Sequence, residues 1–313
     1  MTTKENIAET IGIDLNKLPE RTTYSIVNTS KGEGYNRMLI EFDSELGSDN
    51  EKVRAYLLIP DVLKAKNPAI LINHQHNGER HLGKSEVCGL AGDPLQGFGH
   101  ALAQKGFVVL APDSICFEDR RKNTQGINPL PDDGDWLQHY NEMCYRILKG
   151  ETLMKTVLAD AMNGITLLSG LPFVDKKRIC TLGHSYGGNT VLFLSALDER
   201  IKYSCTSGST CTYKNRIANN VGIEMASVIP GFIKKYDVQD LVRCTAPRNM
   251  LIVSAEEDKY SKDADLIFEQ AQPAYLELDA KDNLQHKRYP GGHALTREQF
   301  DFIVAWFTKL AAT

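Results

Sequence analysis

The stretch that most restricts how this chain can fold is Arg178–Leu197, RICTLGHSYGGNTVLFLSAL. An apolar, β-branched run stops at Gly183, and helical spacing resumes at Asn189. Between them stands Gly183-His184-Ser185-Tyr186-Gly187. The order strand, sharp turn, helix lifts the serine onto a strained corner. Glycines two positions to either side are needed because a β-carbon there would strike the neighbouring strand and helix. Composition alone yields G-x-S-x-G in roughly one chain in ten of this length, so the weight rests on the flanking elements. A serine at a helix N-terminus also sits beside backbone N–H groups that can meet a developing oxyanion, the Tyr186 amide first among them.

The rest of the chain has a matching rhythm. Asn36–Phe42 and Val53–Ile59 alternate in hydrophobicity about the turn-rich SELGSDNEK and predict an antiparallel hairpin. After Pro60, short apolar runs at 69–73, 107–111, 178–182, 201–204, 249–254 and 285–289 read as strands. Helical spacing at 94–105, 150–169, 189–197 and 297–310 falls between and after them. This alternation predicts an α/β fold: a mostly parallel sheet with antiparallel N-terminal strands and helices on both faces. Two long interruptions, 114–149 and 208–247, are expected to lie as caps over the strand ends, where open α/β sheets take ligands. In the second, 223–229 and 232–242 read as apolar helical stretches.

Bulk properties exclude several roles. The formal charge of −4 and the dispersed basic residues leave no footprint for nucleic acid. The longest apolar runs are strand-length, so no membrane partner is expected, and the first twenty residues lack the apolar core of a secretory signal. Seven scattered cysteines without a C-x-x-C pair fit reduced thiols and a cytoplasmic setting.

A serine hydroxyl needs a base to take its proton. His293, in Tyr289-Pro290-Gly291-Gly292-His293 between the last strand and the last helix, is the best placed of eight histidines. An acid is expected after a strand between the two. The turn Ala255-Glu256-Glu257-Asp258 offers three, with Asp258 preferred and Glu257 in reserve. The loop Asn73-His74-Gln75-His76-Asn77-Gly78 follows the first parallel strand, and there Gln75 or, preferably, His76 supplies a second oxyanion amide. His74-x-His76 with His81 also has the beginnings of a metal-ligand pattern. No later histidine–carboxylate set completes it, so no metal is expected, and serine chemistry needs no cofactor. Asp113, Glu118 and Arg120 read as a buried ionic anchor or, second to that, as substrate contacts. Trp136, Tyr140, Met225 and Phe232, all within the interruptions, are candidates to shape a substrate pocket. Asp132, Asp133 and Asp135 read as solvated loop or, second to that, as a group that repels anionic substrates.

Taken in order, the NHQHNGERHLGKSE loop, APDSICFEDRR, GHSYGG, SALDERIKYS, LIVSAEED and YPGGH resemble the dienelactone hydrolase and acetyl xylan esterase-like branch of the α/β-hydrolases over residues 55–310. The resemblance implies one α/β-hydrolase domain spanning 1–313, with Ser185 as nucleophile, Asp258 as acid and His293 as base. Dienelactone hydrolases proper carry a cysteine nucleophile, and many relatives have His-Gly where this loop reads His-Gln-His. The implied activity is therefore a serine carboxylesterase on a small ester, an acetylated sugar, a lactone or a natural product. A peptidase or amidase with the same residues, or a ligand-binding relative without activity, are the alternatives. The exposed edge of such a sheet, or a cap helix, offers a homodimer interface.

Overall fold

The structure, a computed structural model, describes residues 2–44, 51–128 and 133–312. Asp132 and most of the SELGSDNEK turn lie outside them. The chain opens with helix α1 (Thr3–Ile11), closed at its start by a reciprocal Thr2–Glu5 capping box. Three strands follow: β1 (Tyr24–Lys31), β2 (Tyr35–Asp43) and β3 (Lys52–Pro60). The expected hairpin is β2 against β3, in register from Tyr35↔Pro60 to Asp43↔Lys52. Strand β1 was not expected. It pairs with β2 alone, and every residue is exposed, so no buried face imposed an apolar pattern on it.

Next come β4 (Asn67–Asn73), α2 (Lys84–Val87), α3 (Phe98–Gln104), β5 (Val108–Pro112), α4 (Asp133–Leu148), α5 (Leu153–Gly170), β6 (Val174–His184) and α6 (Tyr186–Leu197). The helix expected over 94–105 is two pieces, a 3₁₀ turn at Pro94–Gln96 and α3, divided at Gly97. The last third holds β7 (Tyr203–Ser207), α7 (Tyr213–Ala218), α8 (Val238–Thr245), β8 (Asn249–Ala255), α9 (Ala264–Glu277), β9 (Leu284–Tyr289) and α10 (Arg297–Ala312). The stretch 223–229 forms only a 3₁₀ turn at Met225–Ser227. The stretch 232–242 divides into a 3₁₀ turn at Phe232–Lys234 and α8, which packs on α6 and α9.

All nine strands join one sheet in the order β1-β2-β3-β5-β4-β6-β7-β8-β9. Pairings up to β3–β5 are antiparallel, and the remainder are parallel. Its central strands are buried on both faces and send alternate side chains into two cores. Ala69, Leu71, Val108, Leu110, Met250 and Ile252 join the core beneath α1, α5, α6, α8 and α9. Ile70, Ile72, Val109, Ala111, Leu251 and Val253 join the one beneath α3 and α10. Among the described residues, no helix is long and apolar enough to cross a membrane.

The topology fixes where a site can form. From β4 the chain moves one way to β5, and from β6 it moves the other way to β7. The carboxyl ends of β4 and β6 are neighbours, with Asn73 opposite Gly183, so a crevice opens between the diverging loops. Behind β5, Lys84 Nζ sits among Asp113 (2.8 Å), Glu118 (2.5 Å) and Asp119 (2.8 Å). Burial opposes a charge on Lys84, but the carboxylates outweigh it and hold its proton firmly. Arg120 pairs with Asp160 and Glu51, and Arg121 with Asp135 of α4. These ion pairs tie down the segment after β5. Removing one member would strand a buried charge at a cost of about 3–5 kcal/mol.

Candidate active site

Ser185 occupies the corner between β6 and α6 with φ 53° and ψ −116°, in the left-handed half of backbone space that a serine seldom enters. The corner is held by Ser185 N–H to the Ser207 carbonyl (2.8 Å) and Asn189 N–H to the Ser185 carbonyl (3.0 Å). A β-carbon on Gly183 would come within 2.2 Å of the Gly187 carbonyl carbon, and one on Gly187 within 2.0 Å of the Asn73 oxygen. The elbow therefore packs backbone on backbone. As first residue of α6, Tyr186 has an N–H with no intrahelical acceptor.

Three segments distant in sequence meet at this corner. His293 Nε2 lies 2.8 Å from Ser185 Oγ, and its Nδ1 lies 3.0 Å from Asp258 Oδ1. The loops carrying Asp258 and His293 are stitched together by Glu256 N–H to the Tyr289 carbonyl and Glu257 N–H to the Gly291 carbonyl, both 2.9 Å. Asp258 is buried, and its remaining lone pairs accept from Tyr260 N–H (2.9 Å) and Ser261 Oγ (2.7 Å). Burial alone would raise its pKa. The bonds from His293, Ser261 and Tyr260 prevail and lower it, so the carboxylate is ionised at neutral pH. Glu257 is exposed, and the bond to His293 Nδ1 is made by Asp258.

The remaining expected residues divide. His76, Trp136 and Met225 line the cavity of ≈ 390 Å³ that contains Ser185, Tyr186 and His293. Gln75 does not, since its buried amide donates to Glu86 (3.1 Å). Tyr140 and Phe232 are not brought to this cavity. Tyr140 stacks on the outer Trp136 ring at 5.2 Å, and Phe232 packs among Phe193, Tyr213 and Tyr236. His74 donates Nδ1–H to the Gln75 carbonyl (2.6 Å) and accepts Ser114 N–H at Nε2 (3.0 Å), which engages both nitrogens. His184 bonds Ser207 Oγ through Nδ1 (3.0 Å) and lies 5.1 Å, ring to ring, behind His293. A larger groove of ≈ 940 Å³, lined by residues such as Arg54, Arg120, Glu142 and Arg146, contains neither Ser185 nor His293.

Sequence reasoning missed Asn189, Arg216, Glu224 and Tyr260, which face the Ser185 cavity together with Arg80. Glu224 accepts from His76 Nε2 (2.7 Å) and from Met225 N–H (3.0 Å), while Gly78 N–H donates to His76 Nδ1 (2.8 Å). Burial works against the Glu224 charge, but His76, His139 and Arg80 hold its pKa near about 2. This bond joins the loop after β4 to the segment after β7.

Burial pushes the imidazoles of His74 and His139 down to about 4 and that of His184 to about 3. A base with a depressed pKa stays neutral until the pH falls to that value. At pH 5.5, where a free imidazole is mostly charged, nitrogen NMR is therefore expected to find all three rings neutral. Imidazolium shifts at that pH would contradict the buried geometry.

Comparison with known proteins agrees with this architecture. Residues 142–240 match the acetyl xylan esterase (AXE1) family model. The chain is 25% identical over 303 residues to "Putative hydrolase YtaP" of Bacillus subtilis (strain 168), covering 93% of this chain and 96% of that protein. A solved structure described as a "putative acetyl xylan esterase" from Bacteroides fragilis superposes with TM-score 0.77 at 18% identity, covering 98% of this chain and 86% of that one. A glucuronoyl esterase from Solibacter usitatus gives TM-score 0.68 at 16% identity, over 94% and 87% of the two chains. The fold is that of the α/β-hydrolase esterases, and the chain is similar to the acetyl xylan esterase-like group.

Proposed function

We propose that this protein is a serine carboxylic-ester hydrolase that works through an acyl-enzyme on Ser185. The observation that carries the reading is the unbroken line from Ser185 Oγ through His293 to the buried carboxylate of Asp258, at 2.8 and 3.0 Å. Ser185 Oγ attacks the ester carbonyl carbon and gives its proton to His293 Nε2. The tetrahedral intermediate collapses, and that proton passes to the leaving alkoxide, which departs as the alcohol. Water then attacks the acyl-enzyme and loses a proton to Nε2. The proton returns to Ser185 Oγ as the carboxylic acid leaves. Asp258 fixes the Nδ1–H tautomer and stabilises the transient imidazolium. The Tyr186 N–H and an amide of the loop after β4, at His76 or Gln75, face the developing oxyanion.

Residues 1–313 act as one α/β-hydrolase unit in this reading. The segments 114–149 and 208–247 are caps, contributing Trp136 and Met225 to the cavity. A space of ≈ 390 Å³ suits a small ester, such as an acetylated sugar, a lactone or a natural-product ester. The match to an acetyl xylan esterase family model supports an ester over an amide. A panel decides between them: p-nitrophenyl acetate and butyrate are expected to be consumed, and the matched p-nitroanilides left intact. Faster turnover of the anilides would make the protein an amidase.

A further inference from the structure

The cavity around Ser185 contains two arginines with no carboxylate in salt-bridge contact, Arg80 feeling Glu224 only through longer-range attraction. Arg216 of α7 is 6% exposed and Arg80 is 5% exposed. Arginines this deep are ordinarily ion-paired, because an unpaired guanidinium forfeits its hydration. The same molecule follows that rule elsewhere: buried Arg120 meets Asp160 and Glu51, and buried Arg121 meets Asp135.

Arg216 instead donates to three backbone carbonyls, those of Gly222 (3.2 Å), Ser209 (3.0 Å) and Tyr260 (3.3 Å). Its Nε–H has no acceptor among the described residues. Arg80 donates Nε–H to His139 Nδ1 (3.4 Å) and lies 6.0 Å from the Phe117 ring centroid. Its terminal nitrogens likewise meet no acceptor among the described residues. The two acids nearest the reacting atoms are already engaged: Glu224 with His76 and Met225, and Asp258 with His293, Ser261 and Tyr260. Carbonyls alone could be satisfied by a neutral donor at no cost in buried charge. Two cations opening onto one cavity imply an anion that arrives from outside.

We infer that Arg216, assisted by Arg80, receives a carboxylate carried by the ester substrate. The placement of Arg216 says which half of the substrate carries it. Its guanidinium lies 5.5 Å from the Tyr260 ring centroid, and the same ring meets His293 edge-on at 4.8 Å. Arg216 thus stands on the His293 flank. His293 Nε2 delivers its proton to the departing alkoxide, so a group held on that flank belongs to the alcohol. The substrate class is an acylated hydroxy acid. This rests on the hydrolase reading above and narrows it.

The test compares kcat/KM for para-acetoxybenzoate and para-acetoxybenzamide, which differ in the charge on the alcohol half. The wild type is expected to favour the acid by about tenfold or more, the range of one charge-assisted hydrogen bond. In Arg216→Gln the ratio falls to about one, while Arg216→Lys retains part of it. The ratio is internal to each variant, so it does not depend on the fraction folded. A wild type without the preference, or a ratio unchanged in both Arg216→Gln and Arg80→Gln, overturns the inference. If the wild type hydrolyses neither ester, the hydrolase reading fails separately. Calorimetry with para-hydroxybenzoate then decides. Binding that weakens about tenfold or more in Arg216→Gln upholds the anion site, and unchanged or absent binding removes it.

Discussion

Ser185→Ala is expected to lower kcat on p-nitrophenyl acetate by about 10⁵–10⁶-fold, the scale on which serine hydrolases depend on their nucleophile. The fold should tolerate the change. The Ser185 side chain makes no cap bond to α6, and its one side-chain hydrogen bond among the described residues is the 2.8 Å contact to His293. Alanine can occupy the same backbone conformation as serine, so the stability change should stay within about 1 kcal/mol. Circular dichroism and a thermal melt check the second half of the expectation, and initial rates check the first. A variant with wild-type rates would make Ser185 a bystander.

Asp258→Ala carries the second largest effect, a loss of about 10⁴-fold in kcat. Without the carboxylate, His293 Nδ1 loses the acceptor that selects its tautomer and the charge that stabilises its protonated form. The Tyr260 N–H and the Ser261 hydroxyl lose their acceptor as well, costing about 1–3 kcal/mol of stability. Rates should therefore be measured well below the melting temperature. Glu257→Ala serves as the comparison. That side chain is exposed, and its backbone bond to Gly291 does not depend on it. If Glu257→Ala lost more activity than Asp258→Ala, the acid would have to be reassigned.

Much of the architecture was legible because burial writes a pattern into sequence. Strands β4, β5 and β8, and β6 from Ile179 onward, are covered on both faces, so each reads as a short apolar run. The elbow was legible because backbone packs on backbone at Gly183 and Gly187 and permits nothing larger. Strand β1 left no such trace, being exposed throughout. Helix α9 went unread because it has Pro273 in its interior and only a partial apolar face.

The site was legible where one motif carried it and obscure where several loops converge. Ser185 and His293, which the fold brings together, stand in Gly-rich turns, and the spacing after β8 narrowed the proposed acid to three residues. Side-chain chemistry marks Trp136, Tyr140 and Phe232 as pocket candidates but does not encode the direction in which each points. Trp136 faces the cavity, while Phe232 turns into the core against Phe193. Arg80, Arg216 and Glu224 have no local signature. Each belongs to a different loop or short helix, and only the closed fold places them around one cavity.

The most direct measurement is mass spectrometry of the protein after treatment with a fluorophosphonate, which adds only to a serine whose proton has been drawn off. A single stoichiometric adduct is expected on the peptide containing Ser185, with slow or absent labelling in His293→Ala. An adduct on another residue, or an unlabelled wild type, would contradict Ser185 as the nucleophile.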